Sequence, residues 1–84
     1  MPIISKFYGI TIRMYFNQSE HNPPHLHAMY GQFEGVIDIN TGNMINGNLP
    51  SKAKALIKEW VLLNKDELLQ MWNNQSFNKI PPLN

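Results

Sequence analysis

The chain contains no cysteine, so a disulfide framework, a thiolate metal site and a thiol nucleophile are all excluded. Charge is also scarce. Charged residues make up 15% of the 84 and the formal net charge is +1, which gives no general drive toward nucleic acid or a membrane surface. No apolar run is long enough to span a bilayer. The opening Met1-Pro2-Ile3-Ile4-Ser5-Lys6 lacks the basic-then-apolar order of a secretion signal, so a soluble, cytoplasmic protein is expected. Internal repeats and low-complexity segments are absent as well. Histidine is rare but not scattered: the only three lie in His21-Asn22-Pro23-Pro24-His25-Leu26-His27.

What is present is enough for one small domain spanning residues 1–84. Hydrophobic residues reach 43% and include two tryptophans, which favours a folded core over disorder. Residues 7–16 alternate, with Tyr8, Ile10, Ile12, Met14 and Phe16 on one parity, and read as a half-buried strand. His25–Tyr30 and Phe33–Ile39 read as two strands joined by Gly31-Gln32, where a leading glycine suits a type II′ turn. That turn sets a register with Leu26 opposite Ile37, Ala28 opposite Gly35, His27 opposite Val36 and His25 opposite Asp38. All the apolar pairs then share a face, which a one-residue slip would destroy. A short edge strand near Met44-Ile45 follows, and Asn46-Gly47-Asn48 ends the sheet.

After Leu49-Pro50 the period becomes helical. Ser51 is the expected cap, with Ala53, Leu56, Ile57, Trp60 and Val61 on one face. Asn64-Lys65-Asp66-Glu67 has the form of a capping box and starts a second helix through Leu68, Met71 and Trp72, unless one bent helix runs through. The core is expected over about residues 3–72, with a loose polar tail over 73–84. The fold class is therefore α+β: a three- to four-stranded antiparallel meander, then two helices packed on the face carrying Ile10, Ile12, Met14, Leu26, Ile37 and Ile39.

On the opposite face the register gathers His25 and His27, with Asp38 across from His25 and Glu34 diagonal to His27. Arg13 and Tyr15 join them if the first strand shares that face. Pro23 and Pro24 fix their own φ and hold Asn22 extended, so the approach to the pair is stiff. Histidine alone titrates near neutral pH without perturbation. One neutral imidazole accepting a proton while a protonated one donates, with Arg13 facing developing negative charge, suits cleavage of an RNA phosphodiester. In that reading Asp38 holds the His25 tautomer, and His21, Tyr15 and Glu34 contribute binding. Two other chemistries fit the same residues: a metal held by His25 and His27 with His21, Glu34 or Asp38, or phosphate binding without catalysis. A His-x-His pair is a thin shell for a metal, so no metal and no cofactor are expected. The plainest reading is a polar sheet face in which Arg13 pairs with Glu34 or Asp38. Lys52, Lys54 and Lys58 likewise read first as a solvated helix face. Part of the Leu/Trp helical surface is expected to bury against a partner or a second copy of the chain.

The opening Pro2-Ile3-Ile4-Ser5-Lys6-Phe7-Tyr8-Gly9-Ile10, followed by Ile12-Arg13-Met14-Tyr15-Phe16, resembles the start of the small bacterial family called domain of unknown function 4160. His21-Asn22-Pro23-Pro24-His25-Leu26-His27-Ala28, Tyr30-Gly31, Leu49-Pro50, Glu59-Trp60 and Asp66-Glu67-Leu68-Leu69 with Trp72 continue the likeness. The resemblance implies a toxin of a type II toxin–antitoxin module. Its partner would be a small antitoxin-like companion of the domain of unknown function 2442 type. The resemblance also implies that His21, His25 and His27 are the functional histidines. RNA, or another phosphate-containing molecule, is the expected target.

Overall fold

The computed structural model describes residues 3–14, 23–74 and 76–83. Over these, strands β1 (Ile3–Phe7), β2 (Ile10–Arg13), β3 (His25–Tyr30), β4 (Phe33–Asp38) and β5 (Met44–Asn48) form one antiparallel sheet in chain order, followed by helices α1 (Ser51–Leu63) and α2 (Lys65–Asn74). The class is α+β, with five strands rather than three or four. The extra strand arises where a single strand was expected. Tyr8 and Gly9 both take positive φ (50° and 81°), so the chain folds back there and Phe7 pairs with Ile10. Tyr8 has the parity of the buried residues yet is 59% exposed, because it forms the turn and not the strand. β5 also runs further than expected, through Asn46-Gly47-Asn48.

The central hairpin has the register that the Gly31-Gln32 turn dictates, from His25 opposite Asp38 to Tyr30 opposite Phe33. Gly31 has φ 60° and Gln32 does not have positive φ, as a type II′ turn requires. One face of the sheet is then apolar: Ile10, Ile12, Met14, Leu26, Ala28, Ile37 and Ile39 are all buried in one cluster with Ala53, Ile57, Trp60 and Val61 of α1 and Leu68 and Met71 of α2. Burying each large side chain contributes roughly 1.5–3 kcal/mol.

The helices are bounded differently from expectation. Pro50, not Ser51, is the N-cap of α1, since its carbonyl accepts from the Lys54 N–H and Ser51 is already helical. Asn64 does not close a capping box with Glu67. Its side-chain amide instead donates to the Trp60 carbonyl (2.8 Å), which completes the end of α1, and its own carbonyl accepts the Leu68 N–H of α2. Two helices result, separated by that one residue. No helix among the described residues is long and apolar enough to cross a membrane.

The segment expected to be a loose tail is tied down. The Ile80 side chain is buried and its N–H donates to the Ile4 carbonyl on the edge of β1 (2.9 Å). The Pro81 carbonyl accepts from Trp60 Nε1 (3.0 Å). The cause is chemical: a buried indole N–H needs an acceptor, and Phe77, Ile80 and Leu83 are apolar anchors within an otherwise polar stretch.

Candidate functional site

The histidines lie on the sheet face opposite the apolar cluster, His27 in mid-strand and His25 at the strand start, where Trp72 of α2 reaches it. Alternation along β3 sends Leu26 and Ala28 into the core and His27 the other way. The neighbouring strands bring Arg13 of β2 and Val36 of β4 to either side of His27 in register. Directly opposed residues of this kind have Cβ atoms about 4.5–5.5 Å apart. Arg13 and His27 are both half-buried.

His25 sits at the start of β3 and is 7% exposed. Its Nδ1 lies 2.9 Å from the Pro23 carbonyl oxygen. A carbonyl only accepts, so Nδ1 carries the hydrogen and Nε2 is the atom left to exchange a proton. The Trp72 ring of α2 covers His25 at 5.0 Å between centroids, and the His27 ring stands edge-on to it at 5.5 Å. The two prolines thus act through their carbonyls as well as their stiffness. Pro23 orients the imidazole, and Pro24 accepts the Ile39 N–H (3.0 Å), extending the hairpin ladder past His25.

Asp38 faces His25 across the hairpin, but it does not orient the imidazole as expected. Its carboxylate accepts the Asn40 N–H at 2.8 Å, while its backbone bonds Gly42 and Asn43, so it organises the turn after β4. Local geometry favours this, because aspartate readily bonds the backbone two residues on. Glu34 is where the diagonal of the hairpin puts it, with Oε2 3.5 Å from His27 Nδ1. Even so, His27 is held below the ordinary histidine value of 6.5. Burial penalises its charged form most, the neighbouring His25 adds to this, and Glu34 opposes both without prevailing. Glu34 is itself exposed, which weakens its pull. His27 is consequently neutral at neutral pH.

The structure therefore brings Arg13, His25, His27 and Glu34 together and turns the Asp38 carboxylate elsewhere. His21 and Tyr15 lie outside the described residues. Among the described residues no group of three His, Cys, Asp or Glu side chains could hold a metal. Two contributors were not read from the sequence: the Pro23 carbonyl and Trp72. Helical spacing from Leu68 turns Trp72 inward, but nothing in the spacing says which strand it meets. What the arrangement offers chemically is a neutral imidazole next to a second one of fixed tautomer, with a guanidinium one strand away.

No curated protein and no solved structure matches the chain significantly. A family model does match, from residue 9 to residue 73, and so covers most of the chain, including β2 to β5 and both helices as far as Asn73. By that match the chain belongs to the family described as Domain of unknown function (DUF4160).

Proposed function

We propose that this protein is the toxin of a type II toxin–antitoxin module and that it cleaves RNA through His25 and His27 in the cytoplasm. The observation that carries the reading is the edge-on pair of imidazoles, 5.5 Å apart on one sheet face, with Arg13 in register beside His27. In the proposed step neutral His27 accepts the proton of a ribose 2′-hydroxyl, whose oxygen attacks the adjacent phosphorus. The bond from phosphorus to the 5′-oxygen breaks, and protonated His25 gives its Nε2 proton to that leaving oxygen. The products are a 2′,3′-cyclic phosphate and a free 5′-hydroxyl. Arg13 faces the charge that develops on the phosphoryl oxygens. Burial favours the unprotonated form of His27, the form that can accept a proton, and the Nδ1–H bond to Pro23 leaves His25 Nε2 to act as the acid.

The toxin–antitoxin part is supported by the arrangement that family resemblance implies, in which a companion of the domain of unknown function 2442 type neutralises the protein. It is also supported by Leu62 and Leu63, exposed together at the end of α1, which suit burial against such a partner or a second copy of the chain.

One observation favours a second reading. His25 is buried, with the Trp72 ring against it and its Nδ1 on the Pro23 carbonyl, as in a rigid face that docks a protein or nucleic acid without chemistry. Overexpression separates the two. Wild type should arrest growth, and folded His25→Ala or His27→Ala proteins, checked by circular dichroism, should relieve the arrest while still copurifying with the companion. Folded variants that remain fully toxic would remove the histidine mechanism. Loss of copurification together with toxicity would favour the docking face.

A further inference from the structure

A second candidate site lies at the other end of the sheet. The tips of the β1–β2 and β3–β4 hairpins, together with α1, enclose a cleft of about 450 Å³ lined by Tyr8, Tyr30, Lys52, Leu56, Glu59 and Leu83. Tyr8 is the informative residue. It is the one non-glycine with positive φ among the described residues, and it is a bulky aromatic where the turn favours Asn, Asp or Gly. It is also 59% exposed, and its ring meets Phe7 only edge-on at 6.5 Å, so core packing does not account for it. A strained residue held in place against its backbone preference, with its ring in solvent, points to binding rather than folding. Next to it the Tyr30 ring lies over Gly9, where an added Cβ would come 3.3 Å from Tyr30 Cε1, and Tyr30 is itself 37% exposed.

The helix side of the cleft has its own order. Lys52, Leu56 and Glu59 follow one another on one face of α1, and the cation and the carboxylate are two turns apart, or about 10 Å at 1.5 Å per residue. Tyrosine faces and a leucine suit a flat ring. An ammonium at one end suits an anion, and a carboxylate at the other accepts from ring N–H groups.

We propose that this cleft binds a nucleotide, with the base against Tyr8, Tyr30 and Leu56, Glu59 accepting from the base N–H groups, and Lys52 meeting the phosphate. Free mononucleotides and single-stranded RNA present the same chemistry. The site shares no residue with the histidine face and does not depend on the reaction proposed there.

The test titrates guanosine 5′-monophosphate, guanosine and a short single-stranded RNA into the full chain, followed by NMR shifts of the cleft residues. Tyr8→Asn is the decisive variant, because it places the favoured asparagine before Gly9. It should raise Tm by a few degrees yet weaken nucleotide binding about tenfold. Lys52→Ala should weaken the monophosphate and leave guanosine unchanged. His27→Ala should bind as wild type does, which separates failure here from failure of the catalytic reading. RNA binding tighter than the monophosphate supports a strand as the natural ligand, and equal binding supports a free nucleotide. Absence of shifts in the cleft at millimolar nucleotide would overturn the proposal. So would Tyr8→Asn protein that binds undiminished, or that melts below wild type.

Discussion

The surroundings of His27 set its charge. In the folded chain it holds a proton less tightly than the ordinary value of 6.5 that the unfolded chain keeps. Between those two values the unfolded state binds more protons, so stability rises with pH across the window. The contribution of neutral His27 is therefore complete above 6.5 and is lost as pH falls from there through the folded value. Denaturant unfolding of wild type and His27→Gln across that range should show a shallower acid-side decline in the variant. Parallel curves would mean that His27 is not desolvated. Trp72→Ala removes the half-buried ring over His25 and should cost about 1–3 kcal/mol, with the His25 imidazole resonances moving most in NMR spectra. If they stay in place, Trp72 does not support His25.

Elements succeed or fail here by their turns. β3–β4 was legible because Gly31 fixes a two-residue turn, after which apolar pairing leaves one register, and that register places His25, His27 and Glu34 correctly. β1–β2 was not legible, because Tyr8-Gly9 carries no ordinary turn signal and the alternation runs straight across it. The role given to Asp38 failed for a related reason: cross-strand register fixes where Cα atoms sit, whereas a short carboxylate goes to the nearest backbone N–H, here Asn40. Asn64 behaved likewise, its amide reaching back to α1 instead of forward to α2. Gly47 has φ 91°, and an added Cβ would lie 2.7 Å from the Gly35 Cα, a backbone atom with little room to retreat. Gly47→Ala should cost at least about 1–3 kcal/mol by chemical denaturation. An unchanged midpoint would mean that β5 does not pair with β4 as described.

Across the whole molecule, the fold is closed by parts at both ends of the chain. The family match runs from residue 9 to 73, yet β1 and the segment around Ile80 lie beyond it and bond to one another. Tail composition concealed this, because three apolar anchors are diluted by polar and proline residues. Deleting residues 77–83 would leave the Trp60 indole N–H without its Pro81 acceptor, free the Ile4 carbonyl of β1 and remove Leu83 from the cleft lining. About 3 kcal/mol or more should be lost, a large share of the stability of so small a domain. A truncated chain with unchanged Tm would contradict that closure.

In the proposed reaction two neighbouring imidazoles divide the roles of base and acid. This division is tested most directly by incubating the purified chain with a single-stranded RNA and analysing the ends produced. Wild type should form 2′,3′-cyclic phosphate and 5′-hydroxyl ends, and folded His27→Ala protein should not. Neither should cleave where the ribose carries a 2′-deoxy substitution. Cleavage that persists in His27→Ala protein or at 2′-deoxy positions, or no cleavage by wild type at all, would contradict it.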